Sequence, residues 1–254
     1  MITLKNEQEL AAMRLAGRLT GETLSYLASK IEPGITTAEI DALAENFIRK
    51  NGGIPAFKNY NGFPKSICTS LNAVVVHGIP DSTVLHAGDI ISLDVGVRLD
   101  GFCGDAARTF AVGEISDEAR TLIDTAKQCF FDAVRFAQDG FRIGDISAAV
   151  QKTAEEQGFG VVRELVGHGI GKAVHEDPDV PNFGTAGRGI RLRQGMTIAI
   201  EPMITLGSHK VEQLADGWTI KTCDGKLAAH YENTVAITDN EAEILTISPE
   251  ELQR

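Results

Sequence analysis

Apolar residues recur at three- and four-residue steps through Leu10, Met13, Gly17, Thr20, Leu24, Leu27 and Ile31, which predicts a helix ended by Pro33-Gly34. A second helix follows. Thr36 stands three residues before Glu39 as a capping box, Ile40, Leu43 and Phe47 form its buried stripe, and Asn51-Gly52-Gly53 stops it. Short runs of β character come next, over 66–70, 74–76, 90–97 and 108–112. A third helix is expected over 117–138, broken by Asp139-Gly140, and a shorter fourth over 145–157, stopped by Gly158.

The second helix pair repeats the first in register. Gly34 and Gly140, Glu39 and Asp145, Ile40 and Ile146, and Gly52 and Gly158 are each 106 positions apart. An internal duplication accounts for this, and chance matching of Gly-punctuated helix pairs is the alternative. After each pair the chain turns to β-type sequence containing His-Gly-Ile, at 77–79 and 168–170. The expected architecture is α+β, with two similar halves, about 1–113 and 114–254, whose helices pack on one face of antiparallel sheets around a cleft. No linker-like stretch divides the halves, so one compact unit is expected.

Composition narrows the function classes. With 254 residues and 43% hydrophobic content the chain is long enough to bury a sizeable core. No apolar run is long enough to cross a bilayer and no leader pattern is present, so neither membrane insertion nor secretion is indicated. Cys68, Cys103, Cys129 and Cys223 show neither a Cys-x-x-Cys pair nor a disulfide framework, which favours a reducing cytoplasm. The net charge of -11 argues against a nucleic-acid surface and leaves room for bound cations.

Asp94 interrupts the apolar run 90–97, a Leu99-Asp100-Gly101 turn signal follows, and Asp105 comes after it. A hairpin centred between Leu99 and Asp100 sets 94 opposite 105, where two ionised carboxylates would repel unless something positive lay between them. The alternative is one aspartate exposed or bonded to turn backbone. Glycines on both sides of His168 let the backbone approach a ligand closely, although a lone histidine is more often packed or exposed. Glu201 ends an apolar run and is locked by Pro202, and Glu232 lies in β-type sequence. Each could be a salt bridge to one of the 24 basic residues. Four such acids with one histidine fit a pair of divalent ions bridged by carboxylates, with ligation suited to manganese, cobalt, iron or zinc. His175 lacks a second histidine at the helical spacing of a zinc-protease motif.

At these residues the sequence resembles the methionine aminopeptidase family over nearly its whole length. The motifs that carry the resemblance are Val76-His77-Gly78-Ile79-Pro80, Leu93-Asp94-Val95-Gly96, Gly101-Phe102-Cys103-Gly104-Asp105 and Gly167-His168-Gly169-Ile170-Gly171. To these are added His175-Glu176-Asp177-Pro178, Ala199-Ile200-Glu201-Pro202 and His230-Tyr231-Glu232-Asn233-Thr234. The resemblance implies a pita-bread fold of two pseudo-symmetric halves with outer helices around a dimetal cleft. It implies that Asp94 ligates one metal, His168 and Glu201 the other, and that Asp105 and Glu232 bridge both.

By the same resemblance, water is the nucleophile, Glu201 shuttles its proton, His175 bonds the scissile carbonyl and His77 holds the peptide nitrogen. Phe57, Tyr60, Phe63, Cys68, Val174, Trp218 and His230 would line the side-chain pocket, while ordinary core packing is the alternative for each aromatic. Phe57, Val174, His230 and Cys103 depart from the pattern of bacterial members, which carry cysteine, phenylalanine, glutamine and histidine there.

Only 25 residues separate His175 from Glu201, which leaves no room for the inserted subdomain of the second type and points to the compact type I form. The implied activity is removal of the initiator methionine from nascent polypeptides whose second residue is small. A monomeric cytoplasmic enzyme is expected, with ribosome association as a further partner left open. The rivals are an Xaa-Pro peptidase of the same fold, which usually carries an extra N-terminal domain, and a non-catalytic binding module, which would have lost metal ligands.

Overall fold

Side-chain caps start the first two helices where the pattern places them. In the computed structural model, which describes residues 2–247, Asn6 and Thr36 accept backbone N–H groups and Glu9 and Glu39 bond back to the caps. The helices are α1 (Glu7–Ala28) and α2 (Thr37–Lys50). Strands β1 (Ile54–Pro55), β2 (Cys68–Leu71) and β3 (Val74–Val76) follow, then a long hairpin of β4 (Ile90–Leu99) and β5 (Phe102–Ala111). The second half opens with α3 (Asp117–Val134) and α4 (Ile143–Glu156). After these come β6 (Gly160–Val161), β7 (Val166–Gly169), β8 (Glu176–Pro181), β9 (Thr197–Ile200) and β10 (Met203–Thr205). The last strands are β11 (Val211–Gln213), β12 (Ile220–Thr222), β13 (Ala228–His230), β14 (Asn233–Ala236) and β15 (Glu243–Ile244).

Three helix boundaries differ from the sequence expectation. The first helix ends at Ala28, short of Ile31 and Pro33-Gly34, because Ser29 and Lys30 bond three residues back, to Tyr26 and Leu27. The third helix ends at Val134, because Phe136 and Ala137 bond three residues back, to Ala133 and Val134, and close tight turns in place of the α ladder. The fourth starts at Ile143, since Asp145 caps the Arg142 N–H from the third helical position. With that start, α2 and α4 match end to end at the same displacement of 106, as do β1 and β6.

The hairpin register also differs from the one read in the sequence. Its turn residues are Asp100 and Gly101, with φ of 50° and 84°, and Leu99 pairs with Phe102. Asp94 therefore faces Ala107, and Asp105 faces Gly96. The one-residue shift of the turn moves each pairing by two, so the aspartates are diagonal neighbours still on one face. Both turn residues adopt the left-handed conformation of a two-residue hairpin loop, which Asp-Gly favours and Leu-Asp does not.

Alternation in β4 divides its work between two layers. Ile91, Leu93, Val95 and Val97 are fully buried with Leu24, Leu27, Ile40 and Ile48 of α1 and α2. Ser92, Asp94 and Gly96 consequently face inward with Asp105, Ala107 and Thr109 of β5. A matching core joins Leu122, Phe130, Ile146 and Val150 of α3 and α4 to Ile198, Ile200 and Val235.

The counterpart of the long hairpin is broken. β9 pairs with β14, β10 pairs with β13, and each chain leaves the ladder at the same level, at Glu201-Pro202 on one side and Tyr231-Glu232 on the other. Pro202 lacks the N–H that an unbroken strand would contribute. The halves meet here through reciprocal backbone bonds between Ala107 and Glu232. The Thr109 hydroxyl accepts from the His230 N–H and donates to its carbonyl, both at 2.9 Å. The Thr234 hydroxyl brackets Asp105 in the same way, at 3.0 and 2.9 Å.

Arg14 adds a further tie by donating from Nε and Nη2 to the Glu243 carboxylate at 2.7 and 2.8 Å. A Gly101→Ala substitution is expected to lower stability by about 1–2 kcal/mol by placing a Cβ in the left-handed turn. Urea unfolding would measure it.

Candidate metal centre and its cavity

Each half contributes charge to one point where the strands meet. Asp94 and Asp105 come from the regular hairpin, and Glu201 and Glu232 from the paired breaks. His168 enters from β7, where a Cβ at Gly169 would collide with the Asp177 carbonyl, so only glycine allows β7 and β8 to close behind the imidazole. The Nδ1 of His168 donates to the Gly169 carbonyl at 2.8 Å, which leaves Nε2 as the acceptor facing the acids. That Nε2 lies 3.6 Å from Glu201 Oε1 and 3.9 Å from Asp105 Oδ2.

Two sets of donors converge tightly enough to share an ion. Asp105, His168 and Glu232 form one, and Asp94, His230 and Glu232 the other, each with its ligand atoms within 4.8 Å of one another. Glu232 belongs to both. Oδ1 of Asp94, Oδ1 of Asp105 and Oε1 of Glu232 are buried without a hydrogen-bond partner. Buried polar atoms are seldom left so, and an oxygen-rich set with imidazole suits divalent ions of the first transition row. The residues present therefore fit a pair of such ions.

Electrostatics agree with that donor set. Burial raises the carboxyls of Asp94 to about 6 and Glu201 to about 8. Burial and then the neighbouring acids push Asp105 and Glu232 well above the usual carboxylate range. Burial lowers His168 to about 3 and His77 and His230 to about 4, so all three are neutral, as a metal ligand must be.

A cavity of about 150 Å³ opens onto the acids. Phe57, Tyr60, Phe63, Cys68 and Trp218 line it, together with His77, His175 and the four acids and one histidine of the expected ligand set. Phe63 and Trp218 meet edge to face at 5.2 Å. His175 sits at the exposed mouth, its Nδ1 3.0 Å from the Tyr60 hydroxyl and its ring 4.2 Å from that of His168. Glu176 fixes this loop by accepting from Lys5 Nζ at 2.8 Å and from the Ala173 N–H at 3.2 Å.

Val174 and His230 are not on the cavity wall among the described residues. Val174 packs behind it in the same apolar cluster as Phe57 and Phe63, and His230 turns toward the carboxylates. Leu165, Val166 and Met203 take wall positions that the sequence reading did not single out.

Arg108 was also missed. It is 4% exposed, donates to the Glu232 carbonyl at 2.5 Å and to Asn233 Oδ1 at 2.9 Å, and stacks 4.2 Å over the Tyr231 ring. It thus holds the strand break that aims Glu232. An arginine within a ten-residue strand, directly after Ala106 and Ala107, was the available signal.

Comparison with known proteins places this arrangement. The model of metallopeptidase family M24 matches residues 11–239, and the chain belongs to that family. Within it, methionine aminopeptidase of Clostridium acetobutylicum is 56% identical over 97% of this chain and 99% of its own length. The crystal structure of methionine aminopeptidase from Rickettsia prowazekii superimposes with a TM-score of 0.96 at 40% identity, covering 97% of this chain and all of that one. An Xaa-Pro dipeptidase from Bacillus anthracis shares the fold alone, with a TM-score of 0.77, 24% identity, and coverage of 97% of this chain but 62% of that one. The fold is the pita-bread fold common to these enzymes.

Two expectations follow. Arg108→Met should cost roughly 2–3 kcal/mol in denaturant unfolding, because charge-assisted bonds to Glu232 and Asn233 are lost. The second concerns pH. Between about pH 7.5 and pH 8.5 the buried His77, His168 and His230 are almost wholly neutral in both folded and unfolded chains, while Glu201 retains more of its proton when folded. Metal-free stability should therefore fall as pH rises through this window, by about 1 kcal/mol per unit for each proton involved. Melting with saturating manganese should abolish or reverse that slope, since bound metal displaces the same protons.

Proposed function

We propose that the chain is one catalytic unit that removes methionine from the N-termini of newly made polypeptides. The observation that carries the reading is the buried, unpartnered acid cluster at the end of an apolar, aromatic cavity. When bound, two divalent ions supply the Lewis acidity that makes water a competent nucleophile near neutral pH. Asp94 would hold one, His168 and Glu201 the other, and Asp105 and Glu232 both. Manganese, cobalt, iron and zinc all suit these donors.

The chain's own groups do the rest. The Tyr60 hydroxyl lies 3.0 Å from His175 Nδ1; donating there, it sets the Nε2–H tautomer, whose proton would meet the scissile carbonyl oxygen. His77, neutral through burial, holds the peptide nitrogen on the leaving side. Glu201, ionised once metal has displaced its proton, would take a proton from water and return it to the departing amine. A thioether side chain fits between Phe63, Trp218 and Cys68, where sulfur meets aromatic edges. The free α-amine of the substrate anchors the chain end, which accounts for removal of one residue only.

Bacterial relatives bearing the methionine aminopeptidase name support this reading. No helix among the described residues is long and apolar enough to cross a membrane, and the cysteines are free. We place the protein in the cytoplasm, acting as a monomer on nascent chains.

Metal-loaded protein is expected to release methionine from Met-Ala-Ser. Glu201→Gln should lower kcat by about 10²–10⁴ with a smaller change in KM. Turnover of Ala-Pro with none of Met-Ala-Ser would assign the site to proline-specific peptidases instead.

A further inference from the structure

His230 departs from the role its place in the motif suggests. The side chain is 1% exposed and lies off the cavity wall. Its Nε2 is 3.5 Å from Glu201 Oε2 and 3.7 Å from Glu232 Oε2. Both separations exceed a hydrogen bond, and neither ring nitrogen has a partner. Two donors each about 2.1 Å from one tetrahedral ion stand about 3.4 Å apart, close to the 3.7 Å to Glu232, and the ligand atoms of Asp94, His230 and Glu232 lie within 4.8 Å of one another.

Position in the fold gives an independent argument. Asp105 faces Gly96 in the intact hairpin, two residues beyond the Asp94–Ala107 pair. In the broken one His230 faces Met203, two residues beyond the level where Glu201 and Glu232 leave the ladder. Asp94 and Glu201, Ala107 and Glu232, and Asp105 and His230 are thus counterparts. The hydroxyls that bracket Asp105 and His230, from Thr234 and Thr109, are counterparts too. The backbone delivers His230 to the acids as it delivers Asp105.

We propose that His230 is a sixth donor of the metal centre, its Nε2 ligating the ion that Asp94 and Glu232 hold. This rests on the dimetal reading above. It gives each ion one imidazole, from His168 on one side and His230 on the other. A nitrogen donor shifts preference away from manganese toward iron, cobalt and zinc.

Cobalt(II) titration of the metal-free protein tests this directly. Calorimetry would count ions bound, and proton NMR would count hyperfine-shifted, exchangeable imidazole N–H signals. Two ions and two imidazole signals are expected in the unaltered protein. His230→Gln should remove one signal and weaken one binding step by about tenfold or more. Two bound ions with only one imidazole signal in the unaltered protein would overturn the assignment of His230 and leave the dimetal reading standing. Failure to bind any ion would overturn both. The count in the unaltered protein stands whether or not the variant folds.

Discussion

Four carboxyl groups and two imidazoles taken out of water at one point are the constraint on which the rest of the structure depends. Desolvation holds the acids partly protonated and the histidines neutral, so the folded chain without cations works against its own electrostatics. Such a site persists only where the scaffold over-determines it. Here two cores, one under each helix pair, lock the strands that carry the donors. The bonds joining the halves fall beside the acids: Ala107 to Glu232, Thr109 to His230, and Thr234 to Asp105.

The halves divide the task unequally. The first supplies an unbroken hairpin, whose diagonal pair Asp94 and Asp105 needs only regular alternation to share a face. The second supplies acids from strand breaks, because residues at the ladder's interruption can turn their side chains toward the axis between the halves. That interruption needs support of its own. Pro202 removes one donor, and Arg108 reaches from the first half to hold the Glu232 carbonyl and Asn233. The regular half therefore braces the irregular one.

What was legible in the sequence follows the same division. Helix starts could be read because capping is local: Thr36 and Glu39 set the start of α2 regardless of what packs on it. The displacement of 106 was readable from glycines that end helices. The candidate ligands could be named because they lie in short motifs, and all five line one cavity. The hairpin register was misplaced by two because turn choice depends on backbone handedness at Asp100-Gly101, which the apolar pattern does not encode. Arg108 and the orientation of His230 were not legible. Both depend on contacts between strands more than 100 residues apart, 124 in the case of Arg108 and Glu232.

The cavity and the acid cluster impose different kinds of selectivity. Aromatic and aliphatic walls at Phe57, Phe63, Trp218 and Leu165 reward burial of an unbranched apolar side chain but discriminate weakly among such chains. The polar end is stricter. Buried groups built to meet charge or hydrogen bonds lose most when a substrate lacks the matching atom. In the proposed reaction, the polar end would therefore select more strongly than the shape of the side chain. His175 stands exposed at the mouth with its Nδ1 3.0 Å from the hydroxyl of Tyr60, so the imidazole and the cavity wall are held to one another. The wall also packs tightly on the strand that carries Asp94, since a Cβ at Gly96 would strike the Phe57 ring.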